Sequence, residues 1–174
     1  GQILTLLTPS GREQQIESSR VLRYETELVR DHNNADQLFE EGRFADAVAS
    51  YGRAVDKEQR PWVRRIILAQ MVRSYSNLQQ FTRAGKFFLL IVRSDPTTQL
   101  LDAIPLVWIS APVPRDLVEQ SNSWIEDVDN PFARLMGASR LVATNQRHKA
   151  LEVLAELTGS DDSRLAMLAE TQLW

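Results

Sequence analysis

A change of hydrophobic period near Tyr24 divides the chain into two unequal parts. Before it, Ile3, Thr5 and Leu7 interleave with Leu4, Leu6 and Thr8, and Pro9-Ser10-Gly11 supplies a turn ahead of Arg12–Ile16. Alternation around a Pro/Gly turn predicts a β-hairpin. A lone hairpin is marginal in water, so its apolar face is expected to pack on the segments that follow. After Tyr24 the apolar residues recur every three to four positions, a spacing that only a helix gathers into one buried stripe.

Four such stripes follow in quick succession. Leu28, His32, Ala35, Leu38 and Phe39 share a face that ends at Glu41-Gly42. Phe44, Ala47, Val48, Tyr51, Ala54 and Val55 form the second, stopped before Pro61. Ile66, Leu68, Met71, Val72, Tyr75 and Leu78 mark the third. Phe81, Ala84, Phe87, Phe88, Ile91 and Val92 mark the fourth, closed by Asp95-Pro96. Connections this short predict two antiparallel helix pairs.

The C-terminal half reads less regularly. Leu100–Trp108 is expected to be a short apolar helix interrupted by Pro105, and Ala111–Pro114 a rigid link. Leu117, Val118, Trp124 and Ile125 belong to a further helix. Asn130-Pro131 is a helix start, a cap followed by proline at the first helical position. Leu135, Leu141 and Val142 belong to that helix, and Ala150, Val153, Leu154 and Leu157 to its partner, which Gly159 ends. Ser160 or Asp161 is expected to cap a last helix carrying Leu165, Leu168 and Leu173. The reading is a mainly α chain of about nine helices, with almost no strand after the hairpin.

Composition removes several function classes. With 174 residues, 43% of them hydrophobic, and a net charge of −3, the chain suits one globular domain. The slightly acidic balance leaves no electrostatic footprint for nucleic acid. It has no cysteine, which excludes thiolate chemistry and Cys-ligated metals. Its longest uncharged stretch, Ala103–Pro114, carries three prolines and is far shorter than the roughly 20 apolar residues of a spanning helix. No membrane insertion is expected. Residues 1–8 lack the basic start and long apolar run of a signal peptide. Gly1, set directly before a strand-like segment, is read as a scar left by removal of an upstream targeting segment, and the compartment stays unassigned.

The helical stripes repeat. Gly42-Arg43-Phe44-x-x-Ala47 aligns with Gln79-Gln80-Phe81-x-x-Ala84, the two alanines 37 residues apart. Tyr51 and Ala54 then align with Phe88 and Ile91, and Ala35 and Leu38 with Val72 and Tyr75. A small residue lets two helices approach, and an aromatic fills the groove beside it. This pattern resembles the tetratricopeptide repeat, whose unit is about 34 residues. The resemblance is good over residues 28–96, with Pro96 at the terminal proline position, and weaker over 131–158. Asp31 stands where the pattern prefers a large apolar residue, and Gln79 replaces the usual turn glycine.

The resemblance implies an antiparallel helix-pair array, a tetratricopeptide-like α-solenoid with a short N-terminal hairpin. Residues 1–23 form the hairpin and lead-in, and 24–174 the helical domain. Within that domain, 24–58 and 61–96 are clear repeats, 97–128 an irregular helix pair, 130–158 a weak repeat and 160–174 a terminal helix. That last helix, ending at Trp174, reads as a solubilising cap or as the cut end of a longer array.

Few residues suggest chemistry. His32 and Asp36, four apart on one helix, have half a metal site's spacing, but only His148 offers a second imidazole, so no metal or other cofactor is expected. Glu126, Asp127 and Asp129 form an acidic cluster that a hydrolase or lyase would use, yet acids before a helix start already suit the helix dipole. No phosphate loop, nucleophile elbow or H-E-x-x-H motif occurs, and no catalysis is expected. Arg60, Arg64, Arg65, Arg73, Arg83 and Arg93 read as a basic patch or as separate solvated faces.

In arrays of this kind, first helices line a concave groove. Carried over by resemblance, the groove positions are His32, Asp36 and Phe39 from the first unit, and Ala69, Gln70, Arg73 and Asn77 from the second. A basic clamp for a terminal carboxylate is not reproduced, because Asp36 and Gln70 stand where asparagine belongs. Trp108, held by Pro105–Pro114, is weighed as a buried prop or a partner anchor. The expected function is a non-catalytic module that binds a protein or peptide partner. The alternative is a structural segment of a longer solenoid or homo-oligomer.

Overall fold

Pro61, Gly42 and Gln79 punctuate the first four helices where the sequence sets them. In the computed structural model, which describes residues 3–7, 10–17, 27–108 and 113–174, α1 spans Arg30–Glu40, α2 Phe44–Lys57, α3 Pro61–Asn77 and α4 Phe81–Ser94. Pro61 sits in the first turn of α3, where its missing N–H has no helical partner to lose. The Tyr24 start lies outside the described residues.

The turns inside the two pairs have one backbone. Gly42 and Gln79 both adopt positive φ, +73° and +58°. The N–H groups of Gly42 and Gln79 donate to the carbonyls of Phe39 and Ser76, and those of Arg43 and Gln80 to Leu38 and Tyr75, five residues back. This closure satisfies the last carbonyls of α1 and α3. Glycine takes the left-handed conformation freely, whereas a residue with a Cβ pays about 1–2 kcal/mol for it, so Gln79 is held there by the packing on either side.

The aligned core positions are buried in both units: Ala35 and Val72, Ala47 and Ala84, Tyr51 and Phe88, Ala54 and Ile91. Asp31 is explained by the neighbouring helix. Its carboxylate receives Arg53 at 3.1 Å and Lys57 at 2.5 Å, and Ser50 donates to its carbonyl, so a polar strap ties α1 to α2 where an apolar contact was expected.

The second half contains α5, Arg115–Ile125; α6, Pro131–Leu141; α7, Arg147–Leu157; and α8, Ser163–Leu173. Each helix makes its main contacts with its sequence neighbours, and α5 pairs most extensively with α6. Asn130 caps α6 as the sequence predicts, accepting from the Ala133 N–H at 3.3 Å. The cap of α8 is Asp162, not Ser160 or Asp161, and it accepts from the Arg164 N–H at 3.0 Å. The described residues thus form eight α-helices and one 3-10 turn, a mainly helical fold.

One expectation about the connecting segment is corrected. Leu100–Trp108 is not a helix: a 3-10 turn over Leu100–Ala103 gives way to irregular backbone through Trp108, with a tight turn in which the Leu106 N–H donates to the Ile104 carbonyl at 2.9 Å. Pro105 disfavours the helical region for Ile104 and offers no N–H of its own. Of the Ala111–Pro114 link, residues 111 and 112 lie outside the described residues. The hairpin pairs β1 (Ile3–Leu7) with β2 (Glu13–Glu17) antiparallel, Thr5 opposite Gln15. Its expected packing on the helices falls on Leu4, Leu6 and Leu7, which lie outside the described side chains; Ile3 is 60% exposed. Pro9 of the turn lies outside the described residues.

The halves meet where α4 packs on α5 and α6. α4 and α5 touch little, and the outer edge of the Trp124 six-membered ring on α5 reaches Gly85 of α4, where a methyl group would overlap it. Arg140 of α6 stacks over the other part of this joint, its guanidinium carbon 4.5 Å from the Trp124 ring centroid. Gly137 lets α6 approach α5, since a Cβ there would stand 2.7 Å from the Ser121 carbonyl. In an open helix Gly→Ala gains about 1 kcal/mol. At Gly85 the overlap with Trp124 is expected to reverse that sign, because overpacking costs about 1–3 kcal/mol. Gly85→Ala should lower the urea midpoint at an unchanged slope; an equal or higher midpoint would show that Trp124 does not press on α4.

Candidate functional site

The C-terminal halves of α1 and α3 face a cleft of about 260 Å³, shared with Phe81 and the segment 102–106. α1 supplies Phe39, whose ring meets Phe44 edge to face at 5.3 Å. α3 supplies Arg73, Ser76 and Asn77, which a helix places on one side by their three- and four-residue spacing. The remaining wall is the chain's own strap: Ala103, Ile104, Pro105 and Leu106 are buried against α3 and its surroundings.

Arg73 is the hinge of this arrangement. Its Nη1 donates to Gln70 Oε1 at 3.0 Å and its Nη2 to Asp102 Oδ2 at 2.6 Å. Asn77 donates to the Arg73 carbonyl at 2.9 Å and is otherwise exposed at the rim. Part of the expected groove is therefore filled in cis, and Arg73 reaches a partner only alongside Asp102.

The structure brings Phe39, Arg73 and Asn77 together, with Gln70 behind Arg73. It withdraws two others. Ala69 is buried in the core, and His32 is 2% exposed, so neither offers a surface to a partner. His32 shares the α1 face with the groove residues but is turned into α2, its ring edge to face with Tyr51 at 6.0 Å. Asp36 is half-buried and accepts the Tyr51 hydroxyl at 2.7 Å, while its other oxygen lies 3.7 Å from His32 Nε2. Burial among these groups raises the Tyr51 phenol well above its ordinary range, and the Asp36 bond adds to that. Trp108 lies elsewhere: 63% exposed, it lines a second cleft with Trp174.

Among the described residues no cluster of three or more His, Asp or Glu could hold a metal ion, and no helix is long and apolar enough to cross a membrane. Glu126, Asp127 and Asp129 are exposed and do not converge, Glu126 turning toward Lys149 at 3.3 Å. The arginines of the second unit are engaged one by one. Arg60 holds Glu58, Arg64 reaches the Val55 and Glu58 carbonyls, Arg65 pairs with Asp95, and Arg83 lies over Tyr75. Arg60 keeps the Glu58 carboxyl low, at about 2. No protein-family model, curated protein or solved structure matches the chain.

The sequence reading missed the strap. Its signal was Asp102 followed by Ile104-Pro105-Leu106, an acid and an apolar run that a proline forces out of helical form. It also missed that His32, the polar member of an apolar stripe, is a buried residue whose Nδ1 has no partner. Burial disfavours the imidazolium and lowers the His32 pKa from 6.5, against the opposing pull of Asp36 and Glu58. The unfolded chain therefore takes up this proton at higher pH than the folded one. Stability is complete above about pH 6.5 and declines as the pH falls below it. His32→Gln should flatten the fall in melting temperature between about pH 7 and 5; curves parallel to wild type would mean that His32 charges as readily in the fold.

Proposed function

We propose that the chain is a non-catalytic interaction module, a tetratricopeptide-like helical array that holds a partner's extended segment in the cleft between α1 and α3. The observation that carries this reading is the convergence of Phe39 from α1 with Arg73 and Asn77 from α3 around one open cleft. Support for the repeat type comes from the two turns of identical hydrogen bonding at Gly42 and Gln79 and from the paired buried positions on either side. An array of helix pairs presents first helices side by side, and binding follows from shape and side-chain pattern rather than from a reactive group.

The mechanism is burial with a polar register. Phe39, Ile104 and Leu106 supply apolar wall, while the Arg73–Asp102 pair and the Asn77 amide at the rim fix the orientation of the segment. Side chains with both a donor and an acceptor suit this rim better than a bare anion, because Asp102 half-neutralises Arg73.

Pull-down from the source lysate with wild type, Arg73→Glu and Asn77→Arg tests the reading. Asn77 is exposed, so Asn77→Arg should leave the melting temperature unchanged while filling the cleft. A partner retained by wild type and lost by both variants is the expected outcome. Retention by both removes the α1–α3 cleft as the binding site.

A further inference from the structure

A second cleft, of about 200 Å³, opens between Val107-Trp108, the α6–α7 turn and the last turn of α8. Two of its lining residues are the most exposed tryptophans of the described chain, Trp108 at 63% and Trp174 at 99%. Val107, Val142 and Ala143 supply further apolar lining. The framework beneath is fixed by hydrogen bonds. The Val107 N–H donates to Ser139 Oγ at 2.8 Å, and that hydroxyl donates to Gln172 Oε1 at 2.6 Å, tying the strap, α6 and α8 together.

Most of the side-chain polar groups left over are donors, the Thr171 hydroxyl oxygen being the exception because its proton goes to the Met167 carbonyl. Gln172 spends its carbonyl on Ser139, which leaves its amide NH2 without an acceptor among the described residues. Arg147 is the one charged residue of the lining and has no ion-pair partner among the described residues, whereas its neighbours His148 and Lys149 face Glu152 and Glu126. The indole N–H groups add two more donors. A lining with surplus side-chain donors, one guanidinium without an ion pair among the described residues and no Asp or Glu side chain calls for an acceptor-rich, anionic occupant. Its volume lies below the roughly 300–1,000 Å³ of small-molecule sites, and flat indoles at the rim suit the side chains of an extended chain.

The geometry points to a docking site for an acidic linear segment of a partner protein, one that sets a carboxylate on Arg147 and Gln172 and an apolar side chain between Trp108 and Trp174. This site is separate from the α1–α3 cleft and stands without it.

The probe is a display library of short linear peptides panned against the intact chain, with the best binder resynthesised in acid and amide forms. Enriched peptides should carry Asp or Glu beside an apolar residue and shift the indole emission. Exchange of that acid for its amide should weaken binding about tenfold or more, as a charge-assisted hydrogen bond is worth. Trp108→Ser and Arg147→Glu, both at exposed positions, should have the same effect at an unchanged melting temperature, while Asn77→Arg should have none. Enrichment without carboxylates, equal enrichment on Arg147→Glu, or no enrichment at all would overturn the proposal. So would concentration-dependent self-association abolished by Trp108→Ser, because a second copy would then be the occupant.

Discussion

The two helical halves depend on a buried arginine that has no carboxylate. Arg140 is fully buried, gives one N–H to the Phe81 carbonyl at 2.8 Å and lies against the face of Trp124. Its Nε and Nη1 find no acceptor, and desolvation lowers its pKa to about 10, which leaves it charged at neutral pH. Burial of an ion costs several kcal/mol even after relaxation. A desolvated cation–π contact returns about 2 kcal/mol and a hydrogen bond from a charged group about 1.5–3. The balance is close to even, so the contribution of Arg140 lies in register more than in net stability. With Trp124 seated on Gly85, it allows one placement of α6 against the start of α4, and α4 to α6 is where the halves meet.

From that joint the rest of the architecture follows. Because α5 does not continue the stacking of α1 to α4, the strap between α4 and α5 meets α3 through Leu100–Ala103 and continues through the buried Ile104, Pro105 and Leu106. It fills one flank of the α1–α3 cleft and sets Asp102 against Arg73. Its far end emerges at Trp108, beside the turn after α6. One segment thus shapes both clefts, closing part of the first and supplying a tryptophan to the second.

The helices were legible where periodicity and punctuation agreed, with Pro61 opening α3, Asn130 capping α6, and Ala47 and Ala84 marking the close approaches, and misread where they did not, at Leu100–Trp108. The site was legible only in part. Helical spacing places His32, Asp36 and Phe39 on one face, but a face is broad, and the polarity of His32 does not reveal that Tyr51 covers it. Arg73 and Asn77 stood on the right side of α3, yet their cleft has a wall drawn from residues about thirty positions later, which no local pattern encodes. Trp108 was open to two readings because its fate turns on the Val107–Ser139 bond, a contact between distant segments.

Arg164 adds a dimension of time. Its guanidinium reaches the Thr98 and Pro96 carbonyls, 66 and 68 residues earlier in the chain, while Asp162 holds it in place. Nearly every other packing contact joins neighbours in sequence, so helix pairs zip up locally and early. Closing so long a loop costs entropy, and that cost falls once the intervening helices have formed. The clasp between α8 and the root of the strap is therefore a late step of assembly. A nascent chain presents a finished first cleft before the second one exists.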